Sequence, residues 1–336
     1  MDTKTLPEKN EMKKQALLKT IFVGCVLHIL YQVFHFTTNF VPEYKQLKYV
    51  PAASRSVQEI RQINLKAACR SFENEESIFN ESYLSKQNMY SKTYKFAVCE
   101  IQKCGSGAWL KLLLITEGFY TMEEYFIDEK MRGEKVLQIA SEQLSLWPMQ
   151  NKSEQRKIWK NAFKVIMVRN PFDRIVSAYV DKLVPGALGF NYFYEPMSRK
   201  INQKYRHLRH DVESRTRADN GTATFEDFLN YLIDTDGGED NPHFTFYHAL
   251  CNPCKVHYDY IIKFETMQED IEFLQNYLNI SEEHRKIFFP PARYSARTDK
   301  VKKFYEQTPK ELTNKLYSVY KKDFVLFDYD RAFPAN

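Results

Sequence analysis

The chain has 336 residues, enough for one large hydrophobic core with short appendages. Charged residues make up 27% of the sequence and aromatic residues 15%, a composition that excludes an intrinsically disordered chain. The 48 basic residues nearly balance the 43 acidic ones, so the net charge is only +5. This balance argues against a nucleic-acid-binding polycation, although local basic clusters can still bind a nucleotide or a polyanion.

The first distinct segment is an apolar run, residues 20–40, that contains no Asp, Glu, Lys or Arg. A helix of that length rises about 30 Å, which matches the hydrocarbon core of a bilayer. Lys13, Lys14 and Lys19 precede it, so the positive-inside rule predicts a cytoplasmic tail at 1–19 and a lumenal remainder. We therefore expect a single-pass type II signal-anchor. A cleaved signal peptide is disfavoured, because the run is longer than a typical h-region and no small-residue cleavage site follows closely.

Potential N-glycosylation sites all lie on the predicted lumenal side of this segment. The four sequons begin at Asn80, Asn151, Asn220 and Asn279. A single sequon is weak evidence, but their placement agrees with the topology that the flanking charges predict.

Five of the six cysteines also fall on the lumenal side: Cys69, Cys99, Cys104, Cys251 and Cys254. The last two form a single C-x-x-C, and no second pair is spaced for a zinc site. Disulfide bonds in an oxidising compartment are the favoured interpretation, with no metal. Because five is odd, at least one of these thiols is free or pairs between chains.

Residues 41–90 mix polar residues and proline without sustained periodicity and are predicted to be a lumenal stem, with short helices around 57–72. The catalytic domain is predicted over 91–336. There, apolar strands alternate with amphipathic helices, which indicates an α/β domain. The later predicted elements are a helix at 225–231, a strand at 258–264, and helices at 266–278 and 312–327.

A first strand–loop–helix passage consists of a strand at 95–101, a small-residue loop at 102–108 and a helix at 109–116. Gly105, Ser106 and Gly107 can present backbone N–H groups to a phosphate at the start of a helix, and Lys103 adds a charge. A plain tight turn is the alternative. The lysine precedes the glycines and no Lys-Ser/Thr pair opens the helix, so a Walker-type kinase is disfavoured.

A second passage runs from a strand at 163–169 into a well-marked helix. Asn170 suits the N-cap, Pro171 the first helical position and Asp173 the third. Arg169, at the end of the strand, can bind a phosphate bidentately, and Ser177 can add a hydroxyl. The alternative is that Arg169 pairs with a carboxylate and that Ser177 is a packing residue.

These two passages resemble the Golgi carbohydrate sulfotransferases, the group that contains chondroitin and dermatan 4-O-sulfotransferases. The likeness rests on QKCGSGAW at 102–109 and RNPFDRIVSAY at 169–179, and it is supported by similar stretches at 243–266 and 320–329. It covers roughly residues 94–330. The second motif matches the family pattern at almost every position.

The resemblance implies a P-loop-like three-layer α/β domain with a mainly parallel sheet, both phosphate sites lying at strand C-termini. It also implies 3′-phosphoadenosine 5′-phosphosulfate (PAPS) as the donor and no metal. The 5′-phosphosulfate would bind to Lys103, Cys104, Gly105, Ser106, Gly107, Ala108 and Trp109. Arg169 and Ser177 would bind the 3′-phosphate, and Arg174 is also assigned to the donor-binding residues, although it either only supports the site or pairs with a nearby carboxylate such as Asp173.

The sequence departs from the family in the first loop. Gln102, Gly107 and Ala108 stand where the family usually has proline, a hydroxyl residue and asparagine. The family's His-Trp pair is His243-Phe here. The chain is therefore a divergent member, and a catalytically inactive, membrane-anchored glycan-binding homologue is the alternative.

For the reaction, Lys103 is expected to stabilise the leaving group and His243 to act as the general base. Glu265 is the reserve base, or else it anchors Lys263 or a helix start, and the alternative for His243 is a packed or surface histidine.

The expected acceptor is a glycan, a chondroitin-type GalNAc 4-O position above all. The basic stretch 199–217 either grips a polyanion or is a solvated face. The expected location is the Golgi membrane, with no nucleic-acid partner and a homo-oligomer left open.

Overall fold

A computed structural model describes residues 52–72, 87–121, 123–124, 139–144, 151–216, 220–239, 241–287 and 294–331. The predicted cytoplasmic tail, the predicted membrane segment and Asn80 lie outside these ranges. Within them, no helix combines the length and the apolar character needed to cross a bilayer.

The described residues form four short strands and twelve α-helices. The strands are β1 (Asn88–Ser91), β2 (Phe96–Cys99), β3 (Phe163–Val168) and β4 (Tyr260–Lys263). The helices are α1 (Ala52–Ser71), α2 (Ser106–Thr116), α3 (Lys152–Asn161), α4 (Pro171–Lys182), α5 (Tyr194–Tyr205), α6 (Val212–Thr216), α7 (Phe225–Asp234), α8 (Tyr247–Cys251), α9 (Met267–Tyr277), α10 (Glu282–Arg285), α11 (Tyr294–Glu306) and α12 (Lys310–Leu326). A π-helical turn (Ala140–Leu144) and 3₁₀ turns at Arg206–Leu208 and Phe264–Thr266 complete the set.

The four strands form one sheet in the order β1-β2-β3-β4. β2, β3 and β4 are parallel, with Val98 opposite Val165 and Val165 opposite Tyr260. β1 pairs antiparallel with β2. The prediction of a mainly parallel sheet in an α/β domain is confirmed. The antiparallel edge strand was not predicted, because its four residues carry too short a pattern to stand out from the stem.

Side chains of β3 alternate between two hydrophobic clusters, so helices cover both faces of the sheet. Val165 and Met167 pack with residues of α2 and α9 on one face. Ile166 and Val168 pack with residues of α1, α8 and α12 on the other. A strand that is buried on both faces has a continuous apolar sequence, and for this reason β3 could be predicted.

A separate aromatic cluster holds α4, the helix that opens with the RNPFD motif. The Phe172 ring lies 4.9 Å from that of Tyr305 on α11 and 4.8 Å from that of Phe324 on α12. Tyr179, two turns further along α4, packs on Phe225 of α7 at 5.3 Å. Because the helix is fixed along its buried face, its N-terminus is fixed at the end of β3.

Within the predicted stem, α1 packs on the edge of the sheet. The Gln58 side chain donates to the Ile261 carbonyl (2.8 Å) and accepts from the Ile261 N–H (3.1 Å), as a neighbouring strand would. Arg61 donates to both carboxylate oxygens of Asp270, at 2.8 and 2.7 Å. α1 therefore covers the otherwise open edge of β4.

Two disulfide bonds link distant segments. Cys69, at the end of α1, bonds Cys254, and Cys99, at the end of β2, bonds Cys251. Cys104 is free and buried. The expectation of disulfide bonds at the C-x-x-C is confirmed, and Cys104 is the one of the five lumenal-side cysteines left over within the chain.

Replacing Gln58 with alanine should destabilise the protein by about 1–3 kcal/mol, because the buried N–H of Ile261 loses its hydrogen-bond acceptor. Urea unfolding measures the change. Glu59→Ala, an exposed neighbour on the same helix, is the matched control. Equal stabilities for the two variants would show that α1 does not complete the sheet edge.

Candidate active site

The two phosphate-binding turns predicted from the sequence lie at the same edge of the sheet. β2 and β3 are adjacent and parallel, so the turn after Cys99 and the turn after Val168 both leave the carboxyl ends of their strands. This edge is the usual ligand site of open α/β sheets.

The first turn leads directly into α2 through left-handed backbone. Lys103 has φ 70° and Gly105, the N-cap, has φ 81°. No side chain caps this helix, so N–H groups of its first turn are available to an anion. The Ser106 hydroxyl donates to the Gln102 side-chain oxygen (3.0 Å), and the Gln102 amide donates to Glu100 (3.0 Å). Gln102, which replaces the family's proline, therefore braces the turn.

Two of the predicted donor-binding residues turn their side chains into the protein. Trp109 is 1% exposed and packs on Phe96. Cys104 is equally buried, with its sulfur 3.8 Å from the Tyr247 hydroxyl. Their side chains are thus turned away from the site, and their backbone N–H groups donate to the Gly105 and Ile101 carbonyls at 3.2 and 3.1 Å, respectively. Gly107 is exposed, with open space around its Cα, and Ala108 is half-buried.

Arg169 follows β3 and is 3% exposed. Its Nε is buried without a hydrogen-bond partner, and its Nη2 lies 3.7 Å from Asp173. The guanidinium also lies over the Phe264 ring at 4.8 Å. Buried donors of this kind are rarely left unpaired, and no atom of the described residues accepts a hydrogen bond from this one.

The N-terminus of α4 is built as the sequence predicts. The Asn170 side chain accepts from the Phe172 N–H, Pro171 occupies the first turn, and Asp173 follows. Burial raises the pKa of Asp173 to about 6, and the charge of Glu265 adds to that rise, while Arg169 opposes both. Half-buried Ser177 lies on the same helix.

Arg174 is a clamp between three stretches of backbone. Its Nε donates to the carbonyl of Gln102 (3.0 Å), its Nη1 to that of Thr245 (2.6 Å) and its Nη2 to that of Pro242 (2.9 Å). The side chain is 1% exposed and stacks over Tyr247. All three bonds of Arg174 go to backbone carbonyls. The side chain therefore holds these stretches together and does not pair with a surface carboxylate. Direct contact of Arg174 with the donor stays a prediction.

Glu265 anchors a helix start. One carboxylate oxygen accepts from the Asn170 N–H (2.7 Å) and the other from the Tyr329 hydroxyl (2.8 Å). The first of these bonds holds the N-terminus of α4, so Glu265 anchors a helix start, one of the alternatives to the role of reserve base.

An ion-pair cluster lies where α4 ends. The Lys103 ammonium bonds Asp181 at 2.7 Å, and the Lys182 ammonium lies 3.4 Å from the same carboxylate. Burial lowers the pKa of Lys103, and the bond to Asp181 opposes this. Burial alone would raise the pKa of Asp181, but Lys103 and Lys182 outweigh it and hold that pKa below its usual value.

His243 lies beside this cluster. Its Nδ1 is 2.8 Å from the Tyr194 hydroxyl and 3.2 Å from the Asn241 side-chain oxygen. Burial lowers the pKa of His243 to about 3, with Lys182, Lys103 and Arg174 contributing in the same direction. The imidazole is therefore neutral, and because Nδ1 faces two oxygens, Nε2 is the nitrogen left for a ligand.

Several residues of this site were not predicted from the sequence. Asp181 lies four residues after Ser177 and seven after Arg174, so helical spacing places it on the same face of α4. That spacing could have found it. Tyr194 and Asn241 carry no comparable signal, since only the tertiary fold brings them to His243.

The other sequence expectations fall outside this cluster. Asn151, Asn220 and Asn279 are exposed. The basic stretch 199–217 is partly internal, because Arg209 forms a buried ion pair with Asp227 at 2.6 Å. Arg199 pairs with Glu195 on the surface.

Comparison with known proteins places the chain in a family. The profile of the sulfotransferase family matches residues 86–330. The chain belongs to the sulfotransferase family. The match spans both predicted phosphate-binding turns, His243 and Glu265.

Curated relatives carry the name carbohydrate sulfotransferase. Carbohydrate sulfotransferase 10 of Xenopus laevis is 26% identical, over 71% of this chain and 66% of the relative. The Gallus gallus protein of that name is 27% identical, over 70% and 64%. Carbohydrate sulfotransferase 11 of Rattus norvegicus is 30% identical, over 51% and 47%. The chain thus spans just under two thirds of the length of the first two. No solved structure matches significantly.

Replacing Arg174 with lysine should destabilise this sulfotransferase-family chain by at least about 3 kcal/mol, because one ammonium cannot satisfy three buried carbonyls at fixed positions. Chemical denaturation measures the loss. Arg199→Lys, at an exposed arginine, is the control. A variant as stable as that control would contradict the clamp.

Stability should also depend on the pH through Glu100. Burial raises the pKa of Glu100 to about 7, with the Gln102 bond opposing the shift. The folded state then binds more protons than the unfolded state between about pH 4.5 and pH 7, so this contribution to stability falls as the pH rises through that window. Glu100→Gln should remove that part of the pH dependence of the unfolding free energy, whereas Glu283→Gln, at an exposed carboxylate, should leave it unchanged. Parallel profiles for wild type and Glu100→Gln would contradict this account.

Proposed function

We propose that the protein is a sulfotransferase that moves sulfate from PAPS to a hydroxyl of a glycan. The observation that carries the proposal is the buried Arg169 guanidinium, whose Nε has no partner, at the N-terminus of α4. A 3′-phosphate supplies the oxygen acceptors that this position needs, and a charge-assisted bond there is among the strong ones. Family membership supports the same donor.

The residues present fit both anionic ends of the donor. The uncapped start of α2, with Lys103 and Ser106, suits the 5′-phosphosulfate. Arg169, just before α4, suits the 3′-phosphate, and Ser177, about two turns along that helix, is proposed to add a hydroxyl. Lys103 and Arg169 each lie beside a carboxylate, Asp181 and Asp173 respectively, so neither of these two cations lacks a counter-charge before the donor binds.

In the proposed reaction the acceptor hydroxyl oxygen forms a bond to sulfur while the bond from sulfur to the 5′-phosphate oxygen breaks. The products are the sulfated glycan and 3′-phosphoadenosine 5′-phosphate. Lys103 neutralises the charge that develops on the leaving oxygen, and the hydroxyl proton passes to Nε2 of His243. Tyr194 and Asn241 hold the imidazole through Nδ1.

The donor should make His243 a stronger base. Part of the depression of its pKa comes from the charges of Lys182, Lys103 and Arg174. The negative charges of a bound donor offset those cations, so the imidazole becomes easier to protonate when the hydroxyl attacks.

The finer assignments rest on the resemblance and on the names of the relatives. A chondroitin-type GalNAc 4-O position is the proposed acceptor. The proposed location is the Golgi membrane, as a type II protein with residues 20–40 as the anchor. The exposed sequons at Asn151, Asn220 and Asn279 and the two disulfides support a lumenal domain.

A non-catalytic glycan-binding homologue is the second candidate. Gly107 and Ala108 offer no polar side chains to the donor, and Asp181 already occupies the Lys103 ammonium. In that case nucleotide binding would be weak or absent.

Transfer of radiolabelled sulfate from PAPS separates the two candidates. We expect labelled product from a fragment beginning near Pro42 when desulfated chondroitin, dermatan and heparan are offered side by side, and no product from Lys103→Ala. Absence of both transfer and binding of 3′-phosphoadenosine 5′-phosphate would favour the glycan-binding homologue.

Calorimetry should show that Arg169 binds the 3′-phosphate of the nucleotide. Arg169→Met should weaken binding of 3′-phosphoadenosine 5′-phosphate by roughly 10- to 100-fold, the size of a lost bond to a charged group, and leave adenosine 5′-phosphate almost unaffected. Arg199→Met is the exposed control. Equal losses for both nucleotides would place the 3′-phosphate elsewhere.

His243→Ala should lower kcat by about 10²- to 10⁴-fold while nucleotide binding stays intact, because it removes the proton acceptor only. Tyr194→Phe should lower kcat less, since Asn241 still contacts Nδ1. Steady-state kinetics with PAPS and the best acceptor measure both. Unchanged kcat in His243→Ala would assign the base to another residue.

A further inference from the structure

The two most exposed large apolar side chains of the described residues, Leu188 and Tyr192, lie in one loop between α4 and α5, together with the exposed Phe193. Leu188 is 83% exposed, Tyr192 80% and Phe193 59%. Single exposed apolar residues are ordinary, but three within six positions form a patch of the kind that marks an interaction site. We call residues 188–193 the aromatic loop.

The aromatic loop is held in a fixed conformation against the end of α4. A Cβ on Gly189 would lie 2.7 Å from the Asp181 carbonyl oxygen and 2.8 Å from its carboxylate, so only glycine allows this approach. The Asn191 side chain accepts from the N–H groups of Phe193 (3.1 Å) and Tyr194 (3.3 Å), which turns the chain into α5. These contacts fix the backbone that carries the exposed rings.

The aromatic loop is continuous with the reacting groups. The Phe193 ring contacts the Tyr194 ring at 4.9 Å, and the Tyr194 hydroxyl lies 2.8 Å from His243. The Lys182 ammonium lies over the Tyr194 ring at 5.0 Å. One aromatic ring thus separates the exposed Phe193 from the proposed base.

We infer that the aromatic loop is the subsite that binds a sugar ring of the acceptor glycan. The inference rests on the proposed function and adds the place and the chemistry of acceptor binding. A pyranose ring presents C–H groups on one face and hydroxyls at its edge. The first suit the rings of Tyr192 and Phe193, which offer apolar area with little loss of side-chain freedom.

The neighbouring charges select a sugar over an apolar partner. Asp181 is 31% exposed in its side chain and lies beside Gly189, with Lys182 next to it. Sugar hydroxyls can donate to the carboxylate and accept from the ammonium. An apolar peptide or a bilayer surface that covered the loop would desolvate Asp181 and Lys182 without offering hydrogen bonds in place of those to water, which is unfavourable.

The test is the acceptor KM of Tyr192→Ala, Phe193→Ala and the double variant, with Leu208→Ala as an exposed apolar control outside the loop. We expect the acceptor KM to rise about three- to ten-fold for each single variant and further for the double variant. The KM for PAPS and the affinity for 3′-phosphoadenosine 5′-phosphate should change by less than about two-fold, and the control should match wild type.

Direct titration with unsulfated chondroitin oligosaccharides, followed by NMR, provides a readout that does not need catalysis. Weaker oligosaccharide binding by the loop variants supports the subsite even if sulfate transfer is absent and the proposed function fails. Unchanged acceptor KM together with unchanged oligosaccharide binding would overturn the inference. So would loop-dependent binding to phosphatidylcholine vesicles in place of oligosaccharides, which would assign the aromatic loop to a membrane.

Discussion

The guanidinium of Arg174 joins the pieces on which the rest of the site depends. Its three bonds tie the turn that carries Lys103, the stretch that carries His243 and the helix that follows Arg169 into one unit. Each partner is a backbone carbonyl, so the clamp fixes chain position independently of the side chains there. Planar, forked donors suit this task, and no other side chain offers them in that number. Tyr247 adds to the clamp, since it stacks under Arg174 and donates to the Arg169 carbonyl at 2.7 Å.

Around this clamp, cations and carboxylates alternate. Lys103 bonds Asp181, and Arg169 faces Asp173, so each of these two cations has a carboxylate beside it in the ligand-free protein. A donor with two anionic ends can share these cations with the carboxylates or take the place of a carboxylate. Binding then exchanges one anionic partner for another, and no cation is buried without a counter-charge. In the proposed function the same exchange also offsets these cations, which add to the effect of burial in lowering the pKa of His243. Donor binding and the readiness of the base are coupled in this way.

Sequence reasoning was most accurate where the signal is local. Asn170, Pro171 and Asp173 specify a helix start by their own chemistry, and the structure confirms each position. β3 was predictable because a strand buried on both faces is uniformly apolar. β1 was missed because four residues of mixed polarity give no periodicity. The role of Gln58 could not be predicted, since its partner Ile261 lies 203 residues away and only the completed sheet brings them together. Tyr194 and Asn241 were missed for the same reason, whereas Asp181 was within reach of helical spacing.

The measurement that tests the central claim most directly is a crystal structure of the protein with 3′-phosphoadenosine 5′-phosphate. The account predicts a 3′-phosphate oxygen within about 3 Å of the Arg169 Nε, the atom that now has no partner, and the 5′-phosphate at the start of α2 beside Lys103. A nucleotide bound elsewhere, with the Arg169 Nε still unpaired, would contradict the assignment of both turns.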